Sequence, residues 1–290
     1  MHNDPHDAHY LHRRKGLDPV LQLPFEGARV LGSVASREVI LVGDASGCVH
    51  AVDPAMGASV WVQLDSAPIA LGASSRGKRL VVLTEDGAWH LFDRDGAQLE
   101  SGEHRLTHGL YVWSDGGRLV AGGQGDDGAS VWVWDDEARE HTLPAGSALL
   151  NSDHGLQLAW VAEGGVCVAP WDDSAPMGAP GAVRERVWVS GAHLAWAGES
   201  EVGVQSVTGS PPVRIPWVDC VTAAVGPLGV RALVTSGAGE VGLVELASDD
   251  TAPHVVELDE QVVGAAQFSA RGPWVATLGD DFRLWTWHEG

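Results

Sequence analysis

The chain has little cysteine, and it has no long apolar run. Its 290 residues include 3 Cys, namely Cys48, Cys167 and Cys220. These stand far apart, so neither a disulfide framework nor a Cys-rich zinc site is predicted. No stretch of about 18 apolar residues offers a membrane-spanning helix, and residues 1–16 lack the apolar segment of a signal peptide. These absences favour a cytoplasmic protein.

Positive charge is also scarce. Asp and Glu number 39 against 18 Lys and Arg, which gives a formal net charge of −21, and the only lysines are Lys15 and Lys78. Affinity for nucleic acid depends on neutralising phosphates, so a nucleic-acid partner is not expected. An anionic membrane surface would repel the chain as well. A basic protein partner would be attracted; the alternative is that the acidity serves solubility alone.

Helical periodicity is missing, and short strands separated by turns take its place. Apolar runs alternate with turns rich in Gly, Asp, Ser and Pro, and 37 residues are Gly. About every 40 residues a strand closes with an apolar or aromatic residue, often followed by a polar one. The seven closing pairs are Val52-Asp53, Phe92-Asp93, Trp134-Asp135, Trp171-Asp172, Val207-Thr208, Leu246-Ala247 and Trp285-Thr286.

A period near 40 residues is that of a four-stranded propeller blade. The sequence therefore predicts an all-β, seven-bladed β-propeller, with a disordered leader at 1–16 and one domain at 17–290. Only three strands are predicted in the last blade, so the segment 20–25 is predicted to complete it and close the ring. The predicted blades are 28–64, 68–103, 108–143, 147–183, 185–217, 219–258, and 262–290 with 20–25.

Two segments resemble WD40-type propellers. Residues 71–80 read LGASSRGKRL and lead to EDG and LFD, and residues 266–272 read AQFSARG and lead to DDFRLW. The resemblance covers about 20–290, and the Gly-His dipeptide of the family is absent, so a complete hydrogen-bonded tetrad is not expected. It implies structural aromatics at Phe92, Trp134, Trp171 and Trp285, hydroxyls at Thr84, Thr235 and Thr277, and turn acids at Asp44, Asp86, Asp127 and Asp280.

The resemblance also implies a role. The short, acidic and degenerate repeats are similar to small bacterial propellers that work in multi-protein systems, which implies a non-enzymatic protein-interaction scaffold within a complex. Such an analogy concerns the fold, because one fold hosts many functions.

Acidic residues recur in the predicted turns between the second and third strands. In a propeller these turns share one face with the links that enter the blades. The sequence therefore predicts an acidic face that binds a basic segment of a partner protein; the alternative is that these acids serve only the turns. The predicted partner-binding residues are Asp44, Asp65, Asp86, Asp126, Asp127, Glu163, Glu199, Glu240, Asp259, Asp280 and Asp281.

No catalytic or cofactor motif is found. Residues 123–128 read GQGDDG and fit GxGxxG, but a strand follows them instead of a helix, so the dinucleotide interpretation fails. Without GxSxG, HExxH or a Walker loop, no catalytic residue and no cofactor is predicted. The rival function is a propeller enzyme, or a binder of a small ligand or metal at the acidic mouth of the channel.

Histidine offers the remaining candidates for metal chemistry. His2, His6, His9 and His12 recur every three or four residues and predict adventitious affinity for nickel or zinc in the leader. His50 and His90 occupy equivalent positions in the third strands of adjacent blades and are interpreted as packed residues. No metal site is therefore predicted.

Overall fold

The computed structural model describes most of the chain. Within the described residues, every regular element longer than a single turn is a β-strand. None of its described segments forms a helix long and apolar enough to cross a membrane. The described residues are 16–23, 25, 27–34, 38–74, 77–114, 118–126, 128–134, 138–144, 147–152, 155–162, 165–171, 187–190, 192–206, 211–226, 229–247, 254–257, 263–269, 274–279 and 281–288.

The first strand, β1 (Gly16–Leu23), belongs to the last sheet, and the next twelve strands form three antiparallel sheets in chain order. Blade one contains β2 (Ala28–Ser33), β3 (Ile40–Asp44), β4 (Cys48–Asp53) and β5 (Gly57–Gln63). Blade two contains β6 (Pro68–Ala73), β7 (Arg79–Thr84), β8 (Ala88–Asp93) and β9 (Gln98–Glu103). Blade three contains β10 (Leu106–Ser114), β11 (Leu119–Gly125), β12 (Gly128–Trp134) and β13 (Ala138–Leu143).

Blades four to six follow the same meander, and blade four has three described strands. Blade four contains β14 (Ser147–Ser152), β15 (Gly155–Ala162) and β16 (Gly165–Pro170). Blade five contains β17 (Val187–Ser190), β18 (His193–Ala197), β19 (Glu201–Ser206) and β20 (Val213–Pro216). Blade six contains β21 (Cys220–Val225), β22 (Arg231–Ser236), β23 (Glu240–Glu245) and β24 (His254–Glu257).

Blade seven joins the two ends of the described chain. It contains β25 (Ala265–Phe268), β26 (Trp274–Leu278) and β27 (Phe282–His288), and β1 pairs antiparallel with β27 as the outer strand. The segment predicted for this position was 20–25, whereas β1 starts earlier and ends at Leu23, with a bulge between Pro19 and Leu21. An edge strand tolerates Pro19, which has no N–H to donate. Residues 1–15 of the predicted leader lie outside the described residues.

The seven sheets make the molecule a seven-bladed β-propeller, and apolar side chains fill the space between blades. The second strand of each blade is buried on both faces, as in Leu80, Val81 and Val82 of β7, which have no exposed surface. Between blades two and three, the rings of Trp89 and Trp134 meet edge to face with centroids 5.3 Å apart. Stability therefore rests on packing between sheets.

The four aromatic residues predicted to be structural lie in or against this core. Phe92, Trp134 and Trp285 are buried in the third strands of their blades. Trp171 follows β16, is half-buried, and meets the His141 ring edge-on at 5.5 Å. In blade seven the Trp285 indole N–H donates to the Thr277 hydroxyl at 2.8 Å, so one of the expected indole–hydroxyl pairs is formed.

The three threonines predicted as equivalent differ in position. Thr277 lies two residues beyond Val275, which pairs with Trp285, whereas Thr84 lies four residues beyond Leu80, which pairs with Phe92. The Thr235 hydroxyl bonds the carbonyl of Val263 at 3.0 Å. The three turns that follow, 85–87, 237–239 and 279–281, have equal lengths, but Thr84 is the last residue of its strand whereas Thr235 and Thr277 are next to last. Counting back from the aromatic residue could not detect this shift.

Candidate interaction surface

Antiparallel strand order places the second turn of each blade on the same face as the links between blades. The backbone shows this directly: Leu64 N donates to Gly47 O at 2.9 Å, Glu85 N to Ala67 O at 2.9 Å, and His104 N to Gly87 O at 2.6 Å. We call the face formed by these turns and links the acidic face. Its described acids are Asp44, Asp65, Glu85, Asp86, Glu103, Asp126, Glu199, Glu201, Asp219, Glu240 and Asp281.

Most of the described partner-binding candidates on this face are exposed to solvent. Asp65, Asp86, Asp126, Glu199 and Glu240 are exposed, and Asp281 is half-buried. Exposed Glu85, Glu103 and Asp219 extend the same face. Four predicted residues, Asp127, Glu163, Asp259 and Asp280, lie outside the described residues.

Two arginines on the acidic face are already paired with its own acids. Arg29 donates to Glu85 at 2.7 Å, which bridges blade one to the second turn of blade two. Arg214 of β20 pairs with Glu201 of β19. Both pairs are exposed, so each contributes little to stability. Each pair also cancels one negative charge of the acidic face.

Asp44 differs from the other predicted residues because its carboxylate faces inward. Its Oδ1 accepts from Ser46 N at 2.9 Å, Ser46 Oγ at 2.7 Å and Cys48 N at 3.0 Å, and its Oδ2 lies 2.8 Å from His50 Nε2. Burial alone would raise the pKa of Asp44, but these hydrogen bonds outweigh it and lower the pKa below its ordinary value. Asp44 is therefore a structural residue of the turn and is not presented to a partner.

Asp86 combines an exposed position with hydrogen bonds from Thr84 and Ala88 within its own turn. The Thr84 hydroxyl donates to Asp86 Oδ1 at 2.7 Å, and this bond is the main reason that the pKa of Asp86 lies below its ordinary value. Its carboxylate is ionised at neutral pH and one side of it faces solvent. The position of Asp86 is compatible with both interpretations that the sequence left open, a turn residue and an exposed member of the acidic face.

The sequence analysis missed His104, which is buried in the link between blades two and three. Its Nε2–H donates to Thr84 O at 3.1 Å, and its Nδ1 accepts from Leu106 N at 3.2 Å. Its ring also meets that of Trp132 edge-on at 6.3 Å. In the WD40 pattern that the sequence resembles, Gly and His are adjacent, whereas Glu103 separates Gly102 from His104 in this chain. Allowing one inserted residue would have found it.

The described side chains that line the central channel are mostly apolar. First strands of several blades line a cavity of about 240 Å³ with side chains such as Ile69, Leu110 and Val189. Its described lining contains Tyr111, whose pKa burial raises far above the ordinary value, and no carboxylate or amine. The described lining thus lacks the acids that a metal or cationic ligand at the channel would need.

Comparison with known proteins bears on the fold. The crystal structure of the Cps50 (Swd1) β-propeller domain of Myceliophteria thermophila matches with a TM-score of 0.71 at 12% identity, over 94% of this chain and 100% of that chain. No family model and no curated protein matches the chain. The predicted all-β, seven-bladed propeller is confirmed, and membership of the WD40 family stays a prediction.

Proposed function

We propose that this propeller is a non-enzymatic scaffold whose acidic face binds an Arg- or Lys-rich segment of a partner protein within a multi-protein complex. The observation that carries the proposal is the set of exposed carboxylates on one face, contributed by the turns and links of five blades: Asp65, Asp86, Asp126, Glu199, Glu240 and Asp219 among others. A rigid ring holds these groups at fixed positions, so binding need not order them.

Electrostatics sets the expected kinetics. A face lined by one sign of charge raises the local concentration of an oppositely charged segment and accelerates its association. Salt shortens the reach of this attraction, since the Debye length falls to about 10 Å at 0.1 M ionic strength. Affinity for a basic segment should therefore fall steeply as salt is added.

The proposed location is the cytoplasm. No disulfide joins Cys48, Cys167 and Cys220 in the structure, and disulfides are rare in reducing compartments. The formal charge of −21 supports a protein partner over nucleic acid or an anionic membrane.

The test is binding of a fluorescent arginine-rich peptide, measured by anisotropy over a salt series, with a glutamate-rich peptide of equal length as the reference. Two full-length triple variants distinguish the effect of where the acids lie from the effect of net charge. The first, the face variant, is Asp65→Asn, Asp126→Asn and Glu199→Gln. The second, the rim variant, is Asp95→Asn, Glu100→Gln and Glu140→Gln, whose residues lie on a turn of the opposite face and on the outer strands.

The face variant should bind the basic peptide at least about 10-fold more weakly at low salt, with a shallower salt dependence. The rim variant should stay within about 2-fold of the parent, because its acids lie away from the docking face. Equal losses in both variants would show that net charge alone attracts the peptide, and the proposed face would be wrong.

A further inference from the structure

Three different metal-binding side chains meet at the second turn of blade one. Asp44 is the last residue of β3, and Cys48 and His50 are the first and third residues of β4. Residues two apart on a strand point to the same side of the sheet. One ligand atom from each of the three lies within 4.8 Å of the others.

We propose that Asp44, Cys48 and His50 form a zinc-binding site. Zn²⁺ takes thiolate, imidazole and carboxylate ligands together, whereas Ca²⁺ and Mg²⁺ require oxygen. With bonds of about 2.0 Å to N and O and about 2.3 Å to S, tetrahedral ligands stand roughly 3.3–3.8 Å apart. The side chains already lie near that spacing, so small rotations bring them around one ion.

Two neighbours hold the ligands in place. Ser46 N and Cys48 N fix Asp44 Oδ1, which leaves Oδ2 directed at His50 Nε2. Gln63 pairs with Cys48 across the sheet, and its amide is held by bonds from Nε2 to Ser46 O and Leu64 O. Its Oε1 accepts from the Cys48 thiol at 2.6 Å, which places an amide oxygen beside the fourth coordination position. Partners of this kind orient ligands and raise metal affinity.

Aromatic rings cover the site on one side. The Phe25 ring lies 4.6 Å from the His50 ring and 5.5 Å from that of Phe282, so the site adjoins the junction of blades one and seven. The side chains of Asp44 and His50 keep 10% and 14% of their surface exposed, which leaves access for an ion. Zinc binding requires the Cys48 thiol to release its proton to solvent, and the His50 proton that Nε2 shares with Asp44 Oδ2 to move to Nδ1, so that the Nε2 lone pair faces the ion.

The propeller repeat does not require Asp44, Cys48 and His50 to occur together. Val42 pairs with His50, and Val82 pairs with His90 in blade two, so the two hairpins share one register. At the positions of Asp44 and Cys48, blade two has Thr84 and Ala88. Only the histidine is common to both, which makes His90 a matched control that lacks the other two ligands.

The test uses the full-length chain with His2, His6, His9 and His12 replaced by Ala, because these histidines have zinc affinity of their own in the sequence-based prediction. The probe is Zn²⁺ alone, with affinity measured by competition against a chromogenic chelator, and Co²⁺ as a spectroscopic substitute. The variants in this background are Cys48→Ala, His50→Ala and His90→Ala.

The background chain should bind a single zinc ion, and Cys48→Ala and His50→Ala should each weaken binding at least about 100-fold, since even supporting partners cost 10–100-fold. His90→Ala should bind like the background. Co²⁺ should give a thiolate-to-cobalt charge-transfer band that Cys48→Ala abolishes.

Equal zinc affinity in all three variants would overturn the proposal, and so would the absence of the charge-transfer band in the background chain. The cobalt spectrum of the background chain tests the proposed site even if one of the variants fails to fold. Peptide binding at the acidic face is independent of either outcome, because Asp44 is not presented there.

Discussion

At the residue scale, His104 shows how one buried imidazole couples stability to pH. Burial is the main reason that the pKa of His104 lies below its ordinary value of 6.5. Its Nδ1 accepts from Leu106 N, so a proton added there would face an N–H donor. The folded state therefore favours neutral His104, and its stabilising contribution is present above about pH 6.5 and is lost as the pH falls through the lowered pKa.

The variant His104→Gln tests this. At pH 8 it should lose about 1–3 kcal/mol of unfolding free energy, because Thr84 O and Leu106 N lose a buried partner. Between pH 7.5 and 5.5 the parent should lose more stability than the variant, so the difference in unfolding free energy between the two proteins should become smaller. Urea unfolding at several pH values measures this difference, with His90→Gln as a control for replacing a histidine elsewhere in the chain. A difference in unfolding free energy that does not change with pH would contradict the lowered pKa of His104.

Asp44 marks the limit of residue-level prediction. Sequence places an acid in the turn, and turns commonly carry Asp, but only the fold shows that this carboxylate caps the turn inward while Asp86 faces outward. The turns 45–47 and 85–87 have the same length, but Asp44 is the last residue of β3 whereas Asp86 lies inside the turn after β7, so the two side chains point in different directions. Which acids could bind a partner was therefore not decidable from spacing.

At the element scale, the strands were the most predictable feature. In blade two the apolar run Arg79–Thr84 between two turns predicts a strand with the bounds of β7, and the run Ala88–Phe92 predicts β8 to within one residue. Apolar runs between Gly- and Asp-containing turns leave little choice of structure. β1 was harder to place, since Pro19 and the bulge obscure its alternation, and its partner is about 260 residues away.

Deleting β1 tests what closure contributes. Removal of residues 1–23 takes away the strand that pairs with β27, strips Leu21 and Leu23 from the core, and leaves the edge of β27 open. The melting temperature should fall by at least about 10 °C, since one kcal/mol corresponds to roughly 2–4 °C in a chain of this size. Calorimetry and gel filtration measure the change and any aggregation.

Removal of residues 1–15 is the control for this deletion, because it leaves every described strand intact. It should melt within about 2 °C of the parent. If the two deletions melted at the same temperature, β1 would contribute nothing to the ring.

At the scale of the whole molecule, the charge of −21 opposes the compact state. Carboxylates drawn together on the acidic face repel one another, and the described ion pairs Arg29–Glu85 and Arg214–Glu201 relieve only part of this. Added salt screens repulsion between exposed charges. The same acids that would attract a basic partner therefore cost stability at low ionic strength.

This predicts that the melting temperature rises with NaCl between about 20 and 300 mM, by roughly 2–5 °C. The face and rim variants carry the same net charge, so they separate the total charge from its placement. The face variant should show the smaller rise, because its acids lie among the densest like charges. Calorimetry of the three proteins in matched buffers measures this. A melting temperature that falls with salt would mean that ion pairs outweigh repulsion, and the acidic face would then be too well neutralised to attract a basic segment.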